Sequence, residues 1–326
     1  MKRDMSGKSY FFVQSITLNG KRLDKGKIES TTYIEHVNMN GSLLILEIAD
    51  ESGSMRDENG VKSGGEVVAL LGNPDLFQET FTILKAPVSN GRMRVCAIQK
   101  DMDKLKKPSP KAIFLADKPT LQSVKTLASG IPIEAGRVTG LCTYHLDAGE
   151  APSGLLREIA KDHACLCYWS RGKLHLVPYS EAFQQPPVIM LESHNPKAEH
   201  TIAFYKWLDH DFASERQNVK RYSCYSMTEG WQYSTGNDDA PIEFVPNATL
   251  SQLNNRLKHI VPLLEVETAG DGALQAGMMV GIRINKMSNE NVLDESAPPE
   301  ILITRVVHHE TPNNYMCTLE LGVLRG

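Results

Sequence analysis

The 326-residue chain lacks any apolar run approaching the ~18–20 residues that cross a bilayer. Its charged opening, Met1-Lys2-Arg3-Asp4, is followed only by the apolar run Tyr10-Phe11-Phe12-Val13, too short for a signal-peptide core. No membrane-spanning segment is expected, and the protein is expected to be made and kept in a cytoplasm. A basic excess is also missing. Lys+Arg is 35 against 39 Asp+Glu, a net charge of -4, which argues against nucleic-acid binding as the main work because phosphates must be neutralised. The six cysteines, Cys96, Cys142, Cys165, Cys167, Cys224 and Cys317, contain no CxxC pair. In a reducing compartment they read as small buried hydrophobes, so neither a disulfide nor a metal is expected.

Catalytic signatures are missing as well. A phosphate-binding loop at Gly7-Lys8-Ser9 needs a glycine five residues before Gly7, where Lys2 stands. Gly270 and Gly272 open a GxG whose third glycine is replaced by Gln275. No HExxH and no GxSxG occurs. In His163-Ala164-Cys165-Leu166-Cys167 the two cysteines share one strand face and the histidine ends the preceding helix. A zinc site needs four ligands in paired spacing, and no second pair is visible. His308 and His309 point to opposite faces of a strand and read as a solvated pair at its end. Cys96, between Val95 and Ala97, reads as an inert core thiol. The carboxylate pairs Glu150 with Glu158 and Asp209 with Asp211 read as surface charge. No catalytic, cofactor-binding or metal-binding residue is assigned, and no enzyme activity is expected.

What is present is an ordinary globular composition, 41% apolar and 23% charged, in a length that suits two or three domains. Such a chain can bury ~75% of its unfolded surface without staples. Strand signals fill the first hundred residues: 10–18, 28–36, 42–48, 67–71, 80–85 and 92–98. They are punctuated by Asn19-Gly20, Asn40-Gly41 and Asn90-Gly91, which suit tight hairpin turns. The Lys-rich stretch 100–111, with Pro108 and Pro110, reads as an exposed linker. A mixed middle follows. It has helical spacing over 120–129, a helix capped by Ser153 after Pro152, and a hairpin of 164–169 and 173–177 turning at Ser170-Arg171-Gly172. Strands return at 201–207, 222–227, 230–234, 263–268, 278–284, 300–308 and 315–321, with one helix over 250–260.

An internal repeat stands out. Gly65-Glu66-Val67-Val68-Ala69-Leu70, Glu79–Lys85 and Met93–Ile98 match Gly277-Met278-Met279-Val280-Gly281-Ile282, Glu300–Val306 and Tyr315–Leu321 in order and pattern. Any two β-hairpins share part of this. The other reading is two related β-barrels flanking a mixed middle.

The segment Ala151–Pro178, with Leu156-Arg157-Glu158-Ile159-Ala160 closing a helix and Lys173-Leu174-His175-Leu176-Val177-Pro178 as a return strand, resembles a signature of phage tail hub proteins. That group includes the late control protein D family, contractile-tail baseplate hubs and the N-terminal part of the type VI secretion spike. The closing hairpin, Ile303–His309 with Tyr315–Leu321, is similar to theirs. Leu155-Leu156 departs from the family's aromatic-leucine pair, conservatively in packing terms.

The resemblance implies a mainly β fold with some α: tube-like β-barrels at 1–110 and 195–326 around a mixed α/β middle domain at 111–194. It implies a homotrimer whose six barrels form a pseudo-sixfold ring in the virion baseplate. Such a hub closes the tail tube, adapts its symmetry to a trimeric spike and opens a channel. The implied partners are the tail tube protein, a separate spike protein and other baseplate proteins, with DNA only in transit. The net charge suits a conduit that does not grip DNA. Only Gly322–Gly326 follows the last strand, too little for a β-needle, so the spike is expected on another chain. The rivals are a tail-associated cell-wall hydrolase and a glycan-binding tail-tip module. The latter would line an exposed face with aromatics, whereas Trp169, Trp207 and Trp231 read as core or rim.

Overall fold

Alternation builds the sheets. In the strand Leu43–Ala49 every second residue, Leu44, Leu46 and Ile48, is buried, and Glu66–Leu71 and Phe77–Lys85 follow the same period. The turns obey their chemistry. Asn19-Gly20, Asn90-Gly91 and Arg171-Gly172 all adopt positive φ at both positions, as a two-residue turn between twisted strands requires. The computed structural model describes residues 11–195, 197–208, 220–236, 239–285, 293–294 and 296–326. Tyr10, Gly7-Lys8-Ser9 and the pair Asp209 and Asp211 lie outside them.

The repeat is written in the sheet topology. The first barrel orders its strands Val13–Leu18, Glu66–Leu71, Phe77–Lys85, Arg92–Gln99, Leu43–Ala49, Ile28–His36. The second orders Met190–Ser193, Met279–Arg283, Glu300–Thr311, Asn314–Arg325, His259–Ala269, His200–Trp207. In chain order both read first, fourth, fifth, sixth, third, second. The matched hairpins 65–99 and 277–321 supply strands four to six of each barrel. One direction differs: the first strand runs antiparallel to the fourth in the first barrel and parallel to it in the second.

The second barrel closes, because Met190–Ser193 pairs with His200–Trp207. Among the described residues the first has no equivalent pairing. A strand has two edges, and Ile28–His36 spends one on Leu43–Ala49 and the other, over Thr31–His36, on Arg305–Glu310 of the second barrel. The two barrels therefore form one continuous sheet, and the first keeps an open seam. Side chains bridge part of it: Val13 N–H donates to Glu310 Oε2 at 2.9 Å, and Lys25 Nζ donates to Val13 O at 3.0 Å. A cleft of about 280 Å³ remains there, lined in part by Phe11, Ile28 and Glu29.

The middle unit packs the helices Thr120–Leu127 and Pro152–Asp162 with the hairpin Cys165–Ser170/Lys173–Pro178 around Leu156, Ile159, Trp169, Leu174 and Leu176. Three local expectations are corrected. The stretch from Lys100 is not an exposed linker. Lys100–Lys106 is a helix that buries Met102 and Leu105, three residues apart on one face, and leaves its lysines to solvent. Ser153 is not a cap, since Pro152 takes the first helical position after Ala151. The helix expected over 250–260 stops at Asn255, and Ile260 already belongs to the strand His259–Ala269.

Between its second and third strands the first barrel has a short turn, residues 37–42. The second barrel instead carries an insert holding the small sheet Gly230–Tyr233/Arg221–Ser226/Ile242–Phe244 and the helix Leu250–Asn255.

Candidate functional site

Barrels and middle unit meet at one tight turn. Ser170 and Lys173 pair across the two-residue loop Arg171-Gly172, which both barrels grip. Glycine suits the second position, at φ +81°. From the first barrel, Glu79 Oε1 accepts Trp169 Nε1–H and Gly172 N–H, each at 2.9 Å. Glu35 Oε1 accepts the Ser170 hydroxyl at 3.0 Å and lies 3.3 Å from Arg171 Nε, an ion pair without hydrogen-bond alignment. From the second barrel's side, the carbonyls of Gly272 and Leu274 accept Arg171 Nη2 at 3.1 and 3.0 Å. The guanidinium also lies over the Phe77 ring, 4.3 Å from its centroid. Glu35 is fully buried and the Arg171 side chain is 12% exposed.

Burial, reinforced by the Glu35 charge, raises Glu79 to about 7. Tyr33, whose hydroxyl lies between both glutamates, is raised well above the usual phenol range, first by burial and then by the two carboxylates. This is a clasp: it fixes three units against one another.

A second lock holds the insert. Arg256 donates Nε to Asp162 Oδ1 and pairs Nη1 with Glu158 Oε2 at 2.9 Å, and Asn255 Nδ2 donates to Asp162 O at 2.9 Å. Tyr144 donates its hydroxyl to the same Asp162 carboxylate. One face of the insert's sheet packs Cys224 against Val245 and Leu253. The opposite face presents Tyr225, Trp231, Tyr233, Ile242 and Phe244 to solvent, with Trp231 58% exposed and edge-on to Tyr225 and Phe244.

The structure brings the residues weighed in the sequence together only in part. Cys165 and Cys167 sit in the middle core, where burial pushes both thiols up to about 12. His163 meets a different cysteine, Cys142, at 3.4 Å. Among the described residues no group of three or more His, Cys, Asp or Glu side chains is placed to share a metal ion. Glu158 serves Lys161 and Arg256, while Glu150 accepts Asp147 N–H in a turn.

His308 is corrected. It is not at a strand end but inside Glu300–Thr311, 1% exposed, stacked on Phe12 with centroids 4.2 Å apart. It donates Nε2–H to Leu274 O at 3.1 Å and accepts the Tyr315 hydroxyl at Nδ1, while His309 faces out toward Thr32. Burial first, then the Arg171 charge, lowers His308 to about 3. Trp169 is core and Trp207 is half-buried in the second barrel, but Trp231 belongs to no core.

Glu35 and Glu79 were missed, although the strand period marks them. Glu35 shares parity with Tyr33 and Thr31, and Glu79 with Phe81 and Ile83, all facing inward. A glutamate on the inward parity of an apolar strand is the signal.

No protein-family model matches the chain, and no curated protein matches it significantly. Solved structures do. A tail protein from Neisseria meningitidis is 14% identical with a TM-score of 0.66, covering 96% of this chain and 97% of that one. The 43 kDa tail protein of prophage MuSo2 from Shewanella oneidensis is 12% identical with a TM-score of 0.61, covering 94% and 96%. An E. coli component of the type VI secretion system, itself similar in structure to T4 bacteriophage tail proteins, is 10% identical with a TM-score of 0.55, covering 96% and 77%. At these identities the likeness is one of fold, and it extends over nearly the whole chain: two related β-barrels around a mixed middle, the fold of phage tail proteins.

Proposed function

We propose that the chain is a structural component of a virion tail, the trimeric hub of a baseplate, and that it has no catalytic role. The observation that carries this reading is the duplicated strand order. One chain holds two barrels of the same topology joined edge to edge through Thr31–His36 and Arg305–Glu310. Three such chains supply six barrels, a number that can face a sixfold tail tube on one side and a threefold spike on the other. The division into 1–110, 111–194 and 195–326 belongs to this proposal, with Met190–Ser193 lent to the second barrel. So do the partners: two further copies, the tail tube protein, a spike protein and other baseplate proteins, with DNA passing only in transit. The clasp supports a mechanical role, since it holds the barrels and the middle unit as one body.

Particle mass followed by class averages of assembled tails tests this. A ring of three chains bearing six barrel densities is expected, and a stable dimer or hexamer in the tail overturns it.

A second reading, a glycan-binding tip module, is favoured by the exposed Tyr225, Trp231, Tyr233 and Phe244 face alone. Glycan-array binding abolished by Trp231→Ala would support it; no binding by the pure protein leaves the hub.

A further inference from the structure

The clasp contains two buried carboxylates and one guanidinium, and its hydrogen bonds can be assigned donor by donor. Glu35 acts as acceptor throughout. Its Oε1 takes the Tyr33 hydroxyl at 2.8 Å and the Ser170 hydroxyl at 3.0 Å, and its Oε2 takes Ala276 N–H at 3.3 Å. Glu79 Oε1 is occupied by Trp169 Nε1–H and Gly172 N–H. Glu79 Oε2 lies 3.3 Å from the Tyr33 hydroxyl oxygen. A tyrosine has one proton to give, and the shorter contact assigns it to Glu35. The Ser42 hydroxyl, 3.4 Å from the same oxygen, is the longest of the three contacts. Two lone-pair oxygens then face each other at Tyr33 and Glu79 unless Glu79 Oε2 carries a hydrogen.

We infer that Glu35 and Glu79 hold a single proton between them, carried on Glu79 Oε2 and relayed through Tyr33, and that the interdomain clasp is thereby a pH-dependent latch. The charges around it balance only with that proton in place. The strand Ile28–His36 contributes Glu35 and Tyr33, the strand Phe77–Lys85 contributes Glu79, and the turn contributes Arg171. Tyr168, on the hairpin strand beside Trp169, is neutral, its hydroxyl raised by burial and then by Glu35. His308, on the strand Glu300–Thr311, is held neutral by burial and by Arg171. With the proton, one buried anion faces one cation. Without it, two anions share that cation in a site closed to water, and like charges so placed cannot both ionise cheaply.

The sign follows from burial raising Glu79 to about 7 from an ordinary 4.5. The folded clasp binds the proton more tightly than the opened chain. Its contribution is complete below about 4.5, falls as pH rises, and is gone once pH has passed about 7. His308 titrates with the opposite sign, so the reading must be a difference between variants in which that term cancels.

The test uses the full chain. Infrared spectra in heavy water at pH 6 are expected to show a protonated-carboxyl C=O stretch that fades as pH passes about 7 and is absent from Glu79→Gln. The glutamine keeps an acceptor for Trp169 and Gly172 and donates its amide N–H to Tyr33, so it imitates the protonated state at every pH. Hydrogen exchange at the Gly172 and Ala276 amides gives the second readout. Relative to Glu79→Gln, wild-type protection is expected to fall about tenfold per pH unit between roughly 5 and 7, then level off, as one linked proton dictates. A pH-independent ratio between the two proteins overturns the proposal, as does a wild-type spectrum with no protonated carboxyl at pH 6. If Glu79→Gln does not fold, Glu35→Gln serves. Removing the neighbouring charge should move the loss of the band to lower pH, and an unmoved band overturns the inference.

Discussion

Arg171→Met isolates what the guanidinium contributes to the junction. Methionine is flexible enough to fill the space over Phe77 and Phe12, so packing is largely kept and charge is removed. Glu35, fully buried, is then left as an anion without its cation, 3.3 Å from where Nε stood. Breaking one side of a buried ion pair costs about 3–5 kcal/mol, whereas removing both sides is often close to neutral. At 1.4 kcal/mol per tenfold, the clasp should open roughly two to three and a half orders of magnitude more often. Hydrogen exchange reads this directly at the Gly172 and Ala276 amides, whose acceptors are the two glutamates. The amide of Leu46, deep in the first barrel, serves as a reference that should hardly change. Adding Glu35→Gln to Arg171→Met should recover most of the lost protection. If Arg171→Met accelerates exchange by less than tenfold, or if the second substitution adds to the damage, the ion pair is not what holds the three units together.

Gly277→Ala should destabilise the second barrel. At φ +87° a Cβ would overlap Tyr168 Oη, adding ~1–3 kcal/mol of overpacking to ~1–2 kcal/mol of backbone strain. Gly130→Ala, at φ +79° in open space, should show only the backbone part in thermal melts. Unfolding the wild-type protein at pH 5 should take up nearly one more proton than unfolding His308→Asn. His308 is lowered to about 3 when folded, so its contribution is present above about 6.5 and lost as pH falls toward 3; equal uptake refutes this. Arg256→Met should free the insert's helix from Pro152–Asp162, seen as faster tryptic cleavage at Lys258 while both barrels stay resistant.

The sequence made the barrels legible because their physics is local. Alternation in 43–49 or 66–71, and Asn-Gly turns at 19–20 and 90–91, are set by neighbours along the chain. Even the duplication could be read, because strands four to six keep their order and spacing in both barrels. Element ends were less legible. Lys100–Lys106 looked like a solvated charge run because two buried side chains, Met102 and Leu105, decide its fate, and they find their core only through tertiary packing. The clasp was hidden for the same reason. Its members come from positions 33–35, 79, 169–172 and 272–276, and nothing local says that a glutamate at 35 will meet an arginine at 171. The insert's aromatic face was equally invisible, since Tyr225, Trp231 and Phe244 converge only when three short strands pair.

The difference between the two barrels follows from how one strand edge is used. Both have the same strand order, and among the described residues one closes while the other does not. Closure requires the second strand to give its outer edge to the first. In the second barrel His200–Trp207 does so against Met190–Ser193. In the first, Ile28–His36 gives that edge to Arg305–Glu310, and closure is exchanged for fusion with the neighbouring barrel. The exchange leaves a seam where Glu310 reaches back with its carboxylate to take the unpaired Val13 N–H. It also fixes the clasp, because the strand that joins the barrels carries Tyr33 and Glu35 on its inward parity. Edge pairing, barrel opening and the buried carboxylates are thus one arrangement, and a substitution that frees the outer edge of Ile28–His36 should disturb all three together.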